Sequence, residues 1–77
     1  MIYKSIEECK KNNCEHLDLR HQQLENLPES IGQLKNLERL DLMKNELTSL
    51  PESFEKLKNL KRLDLYHNKV QELPESI

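Results

Sequence analysis

The chain has 77 residues, 34% of them charged and 35% apolar, which is enough for one small domain with a thin core. Its 12 basic and 14 acidic residues are interspersed and give a net charge of -2, which argues against nucleic acid and anionic membranes as partners. No apolar stretch is long enough for a signal peptide or a membrane span, so we predict a cytoplasmic protein.

Residues 1–13 are predicted to form an N-terminal helical cap. Ser5 followed by Glu8 is a capping-box pair, which is typical of a helix start. Ile2, Ile6 and Cys9 have helical spacing and would form one apolar stripe. We expect this stripe to cover the first apolar layer of the domain.

From residue 14 onward the sequence repeats every 23 residues. The period predicts one repeat over residues 14–36, a second over 37–59 and an incomplete third over 60–77. Proline and aspartate recur in fixed columns as well as leucine. The columns are Leu17, Leu40 and Leu63; Leu19, Leu42 and Leu65; Asp18, Asp41 and Asp64; and Pro28, Pro51 and Pro74.

The segment Leu37-x-x-Leu40-x-Leu42-x-x-Asn45-x-Leu47 and its copy beginning at Leu60 resemble the leucine-rich repeat. With the intervening Leu-Pro-Glu-Ser segments, they are similar to the 23-residue class. That class is found in plant intracellular Ras-group-related proteins, animal Ras-binding scaffolds and many bacterial proteins. The resemblance implies an α/β solenoid with short parallel strands on a concave face and short helical turns on the convex face.

The residues predict the same local structure. Apolar residues alternate in Leu40-Asp41-Leu42, which indicates a short strand with both leucines facing the core. The amides of Asn45 and Asn68 are expected to satisfy backbone groups of the following turn. Gln22 stands there in the first repeat, so we predict a less regular first turn. Pro28 and Pro51 favour the first position of a helical turn.

Two cysteines and two histidines form the one cluster with metal-ligand chemistry: Cys9, Cys14, His16 and His21. Cys14 shares a column with Leu37, so we predict buried, apolar, reduced cysteines. A zinc site and a disulfide are the alternatives. A cysteine pair also caps secreted plant proteins of the family that the chain resembles.

The concave face is predicted to carry the functional residues. Its three aspartates form a ladder that His16, Arg39 and Arg62 are expected to neutralise; a partner contact or a bound calcium or magnesium ion are the alternatives. The columns that differ between repeats hold residue types common at interfaces. The predicted protein-binding residues are Arg20, His21, Arg39, Met43, Lys44, Arg62, Tyr66 and His67.

These features predict a protein–protein interaction module that displays a rigid face. None of the usual catalytic or cofactor motifs is present, so neither an enzyme nor a cofactor is expected. An alternative is a structural or self-assembling piece that forms a homodimer through an open C-terminal end, near Ile77. Resemblance to Ras-binding scaffolds implies small GTPases as candidate partners.

Overall fold

In the computed structural model, which describes residues 2–70, four short strands form one parallel sheet in chain order. They are β1 (Ile2–Tyr3), β2 (His16–Asp18), β3 (Arg39–Asp41) and β4 (Arg62–Asp64). Leu17 pairs with Leu40, and Leu40 pairs with Leu63. The 23-residue period is therefore the step from β2 to β3 and from β3 to β4, as the solenoid prediction requires. We call residues 14–36, 37–59 and 60–70, which contain β2, β3 and β4, the first, second and third coil.

The core is one layer of apolar side chains, mostly leucines together with Ile31 and Phe54, between the sheet and the opposite side of the coils. Alternation within each strand turns every second side chain inward, so Leu40 and Leu42 are fully buried while Arg39 remains partly exposed. The second coil is the most completely covered. Its residues with no exposed surface are Leu37, Leu40, Leu42 and Leu47.

Short 3₁₀ helices at Glu29–Gln33 and Glu52–Lys56 form the convex side and pack against each other. The prediction that proline occupies the first helical position is wrong by one residue, because Pro28 and Pro51 cap these helices with extended ψ values of 156° and 155°. The carbonyl of Pro28 accepts the N–H of Ile31 at 3.1 Å. Proline thus starts the i to i+3 hydrogen bonds from outside the helix.

The cap contains the predicted helix and an additional strand. Helix α1 (Ile6–Lys11) begins as expected, with Ser5 Oγ accepting the N–H of Glu8 at 3.1 Å. The placement of Ile2 on the helical stripe is wrong, because Ile2 lies in β1, pairs with His16 and is 55% exposed. Strand β1 covers the edge of β2, whose backbone groups would otherwise lack partners on that side.

Cys9 and Cys14 form a disulfide, which corrects the prediction of reduced cysteines. Asn13 has a φ of 51°, and this left-handed residue reverses the chain just after α1. The N–H of Cys14 then donates to the carbonyl of Cys9 at 2.9 Å, and the two Cα atoms lie 4.7 Å apart, within the range that a disulfide spans. Both cysteines are buried, and bonding to each other leaves no thiolate for the zinc alternative.

Within residues 2–70, no helix has both the length and the apolar character needed to cross a membrane.

Candidate protein-binding face

A buried amide fixes the turn between the strand and the rest of the coil. Asn45 Oδ1 accepts the N–H groups of Gln22 and Leu24, each at 3.0 Å. Its Nδ2 donates to the carbonyls of Leu19 at 2.9 Å and Leu42 at 3.0 Å. The predicted role of Asn45 is confirmed, and its bonds also join the first coil to the second.

Asn68 repeats this arrangement one coil later. Its Oδ1 accepts the N–H of Leu47 at 3.1 Å, and its Nδ2 donates to the carbonyl of Leu42 at 2.7 Å. The prediction for Asn68 is therefore confirmed as well. Each asparagine thus satisfies backbone groups of the coil that precedes its own.

The residue before the asparagine position has a left-handed backbone conformation in all three coils: His21 has a φ of 57°, and Lys44 and His67 each have 59°. In the first coil Gln23 is left-handed too, with a φ of 56°. The predicted irregularity of the first turn is confirmed. All three residues in the column are exposed at fixed backbone positions.

Asp18 is held by Arg20 through two side-chain bonds of 2.9 Å and by the Arg20 N–H at 3.1 Å. The side-chain bond from Arg20 lowers the pKa of Asp18 below its usual value of 3.8, although desolvation opposes this. The Asp18 carboxylate also raises the pKa of the exposed Arg20. The fork-shaped contact holds Arg20 beside the strand that carries Asp18.

Asp41 lies between two basic partners and is buried. Its Oδ2 lies 2.8 Å from His16 Nε2, and its Oδ1 lies 3.4 Å from Arg39 Nε. The expected neutralisation by Arg39 is confirmed at this aspartate, and His16 shares a hydrogen bond with it. The first contact also links β2 to β3 on the concave face.

On the third coil, the concave face lacks the side-chain ion pairs seen on the first two coils within residues 2–70. Arg62 is exposed and makes no ion pair with residues 2–70, so the predicted pairing of Arg62 with the aspartate ladder is not found there. Asp64 instead accepts the N–H of Tyr66 at 3.0 Å. Tyr66 is 64% exposed, and its ring centre lies 4.1 Å from that of His67. The third coil thus exposes an aromatic pair, and its Arg62 has no ionic partner among residues 2–70.

The residues proposed from sequence fall into two groups. Arg20 and Arg39 pair with aspartates and help to hold the face, whereas Arg62, Tyr66 and the left-handed column present their side chains outward. Met43 occupies the same column of the repeat as Arg20 and Tyr66, and its side chain is half-buried. Residues 2–70 bring together no group of three or more histidines, cysteines, aspartates or glutamates in metal-binding geometry.

The Asp18–Arg20 pair and the two-residue strand β1 are features that sequence reasoning missed. Residues two positions apart in an extended chain lie on the same face, so the Asp18–Arg20 pair could have been predicted from its spacing. Strand β1 is too short to show periodicity. Its signal is the open edge of β2, which becomes apparent only when the fold is known.

A family model described as leucine rich repeat matches residues 12–75. The chain is also similar to the solved structure of a leucine-rich repeat protein from Leptospira interrogans, with 28% identity and a TM-score of 0.50. That match covers 99% of this chain and 32% of the Leptospira protein, so the chain spans about a third of its relative's length. No curated protein matches the sequence significantly.

Proposed function

Because the chain belongs to the leucine-rich repeat family, we propose that it is a non-enzymatic interaction module that binds a partner protein on its concave face. Leucine-rich repeat domains generally mediate protein–protein interactions. The observation that carries the proposal is Tyr66, a large side chain that is 64% exposed on a backbone anchored by Asp64 and Lys44. Tyrosine and arginine are enriched at interfaces.

The face binds at low entropic cost because its backbone is already ordered. The N–H of Lys44 donates to the carbonyl of Tyr66 at 2.9 Å, so the exits of β3 and β4 are joined. Internal ion pairs neutralise Asp18 and Asp41, which leaves Arg62, Lys44 and the aromatic pair to contact a partner. A rigid surface loses little conformational freedom on association.

The proposed binding residues remain those of the sequence prediction. Within them, Tyr66 is the proposed anchor and Arg62 its cationic neighbour. A small GTPase is the first partner class to test, since animal Ras-binding scaffolds share the repeat class. We retain the proposed division into a cap over residues 1–13 and repeats over 14–36, 37–59 and 60–77; residues 71–77, including Ile77, lie outside the described part.

A photo-crosslinking residue at position 66 tests the proposal and identifies the partner. A matched crosslinker replaces Glu25, which is exposed and lies outside the strands and the proposed binding residues. We expect position 66 to capture a defined protein that position 25 does not. In isothermal titration with that protein, Tyr66→Ala should weaken binding at least about tenfold with an unchanged circular dichroism spectrum. Equal capture at both positions, or unchanged affinity of Tyr66→Ala, overturns the proposal.

A second candidate function is self-association through the third coil. Leu60, Leu63, Leu65 and Val70 are only partly buried, whereas their counterparts in the second coil have no exposed surface. Burying these apolar residues against a second copy would lower the free energy of the dimer. Light scattering over a dilution series distinguishes the candidates, because self-association requires a mass that falls on dilution.

The proposed compartment depends on the state of the cysteines. The sequence predicts the cytoplasm, whereas disulfides such as Cys9–Cys14 are typical of oxidising compartments. Trapping thiols in intact cells before lysis decides between them: alkylated Cys9 and Cys14 support the cytoplasm, and an unmodified pair supports an oxidising compartment.

A further inference from the structure

The edge of the solenoid between the convex helices and the strands carries an unbalanced positive charge. In the 23-residue register, three neighbouring columns hold lysines and amides but no carboxylate. They are Lys10, Gln33 and Lys56; Asn12, Lys35 and Lys58; and Asn13, Asn36 and Asn59. This arrangement differs from the concave face, where basic residues accompany the aspartates.

The second half of this edge forms a pocket of about 370 Å³, whose described walls are Lys35, Lys56, Lys58 and Asn59. Lys56 and Lys58 flank the buried Leu57; both are exposed, and both line this pocket. We call these four residues the lysine pocket. Its volume lies in the range of small-molecule sites.

Contacts between coils hold the walls of the lysine pocket in place. Asn59 Nδ2 donates to the carbonyl of Lys35 at 2.8 Å, which ties the second coil to the first. An amide nitrogen has two N–H groups, so this bond uses only one of them. One coil earlier, Lys10 Nζ donates to Gln33 Oε1 at 2.7 Å, an uncharged partner.

The three lysines lack charge partners in the described part of the chain. Among residues 2–70, the one ion pair that contains a lysine joins Lys61 to Glu38. Glu55 precedes Lys56 but does not line the pocket. Lys35 and Lys58 occupy the same position in successive coils, where like charges repel. A bound anion would remove this repulsion.

We propose that the lysine pocket binds a small free anion bearing two or more phosphate groups. Lysine ammonium groups bind phosphate as point charges, and the remaining N–H of Asn59 supplies a directed donor. Three ammonium groups lining one pocket complement several phosphate charges better than a single carboxylate. A recess of this volume has room for a small free anion, whereas lipid headgroups are presented on a flat surface. The site is separate from the concave face and does not depend on the proposed function.

Inorganic diphosphate is the probe, titrated at low salt against the folded protein by calorimetry and by NMR of the backbone amides. We expect saturable binding, with the largest shifts at the four pocket residues. The triple variant Lys35→Gln, Lys56→Gln and Lys58→Gln should bind about tenfold or more weakly. The control variant Lys4→Gln, Lys44→Gln and Lys69→Gln has the same net charge and should bind like the unmodified protein.

Circular dichroism of both triple variants shows whether they remain folded; if the pocket variant unfolds, the single variant Lys58→Gln replaces it. Equal weakening in the control variant overturns the proposal, because binding would then follow net charge alone. Absence of saturable binding overturns it too. Binding to phosphatidylserine vesicles without binding to diphosphate also contradicts it, since the edge would then recognise a charged surface and no free anion.

Discussion

Asn45 is a buried polar side chain whose oxygen and nitrogen all find backbone partners. A buried polar group without partners is costly, so its four bonds determine whether it stabilises or destabilises the coil. In the first coil the same column holds Gln22, whose exposed side chain makes no hydrogen bond within residues 2–70. The two residues are therefore a matched pair for measuring what the buried amide contributes.

We expect Asn45→Ala to lower the free energy of unfolding by at least about 3 kcal/mol, because several buried backbone groups lose their partners together. Gln22→Ala should change it by less than about 0.5 kcal/mol. Urea unfolding followed by circular dichroism gives both values. A similar small loss in the two variants would mean that water replaces the amide without cost.

Asp18 gives a pH-dependent prediction. Its pKa in the folded state is lowered mainly by the side-chain bond from Arg20. A lowered folded pKa stabilises the protein above the unfolded value, and this contribution is lost as pH falls through the folded pKa. We therefore expect the contribution to be complete well above the usual value of 3.8, to decline as the pH falls below that value, and to be lost once the pH is below the lowered folded pKa.

Carbon-13 NMR titration of the carboxyl groups measures this effect. Arg20→Gln should raise the pKa of Asp18 toward its usual value, because the strongest bond to the carboxylate is lost. Arg39→Gln is the control, since Arg39 pairs with Asp41 and not with Asp18. An unchanged Asp18 pKa in Arg20→Gln would assign the shift to another group.

At the scale of elements, Gly32 sets the distance between the two convex helices. A Cβ atom at this position would lie 2.5 Å from the carbonyl oxygen of Ser53 and 2.8 Å from its Cβ. Contacts this short with backbone atoms force the helices apart. The chain has one glycine, and it lies where the first of these helices meets Ser53 of the second.

Gly32→Ala should therefore destabilise the protein by about 1 to 3 kcal/mol through overpacking. Ser30→Ala, in the same helix, is the control and should cost less than about 1 kcal/mol. Thermal unfolding compares the two. A more stable Gly32→Ala variant would show that helix propensity outweighs the steric contact.

The elements also show what the sequence determines. The 23-residue register predicts the strands, because they depend on periodicity. It also predicts the roles of Asn45 and Asn68, because these depend on one residue type at one position of the repeat. The predicted helix position of Pro28 is wrong by one residue because proline is compatible with both the N-cap and the first helical position. The pairing of Arg62 depends on the conformation of its long side chain, which the 23-residue register does not specify.

At the scale of the whole molecule, the cap and the first coil are joined covalently as well as by packing. The Cys9–Cys14 disulfide links the last part of α1 to the first buried position before β2. The sequence spacing of the two cysteines does not distinguish a thiol pair from a disulfide. What brings them together is the left-handed backbone conformation of Asn13, which the spacing does not reveal. A covalent link of this kind restricts the unfolded chain.

Alkylation of the denatured, unreduced protein should modify neither cysteine, as mass spectrometry would show. Cys9→Ala with Cys14→Ala should lower the free energy of unfolding by about 2 kcal/mol, as expected for closing so short a loop. A reducing agent should destabilise the unmodified protein and leave the double variant unchanged. Two alkylated cysteines in the unreduced protein would contradict the disulfide.

The asparagine bonds between coils run in one direction along the solenoid, since Asn45 and Asn68 each bond to backbone groups of the coil before their own and to none of the coil after it within residues 2–70. During synthesis on the ribosome, the turn after β2 therefore has no partner for its backbone until Asn45, 23 residues after Gln22, has emerged. Each coil is completed only by its successor. We therefore expect each coil to fold during translation only after the next coil has emerged.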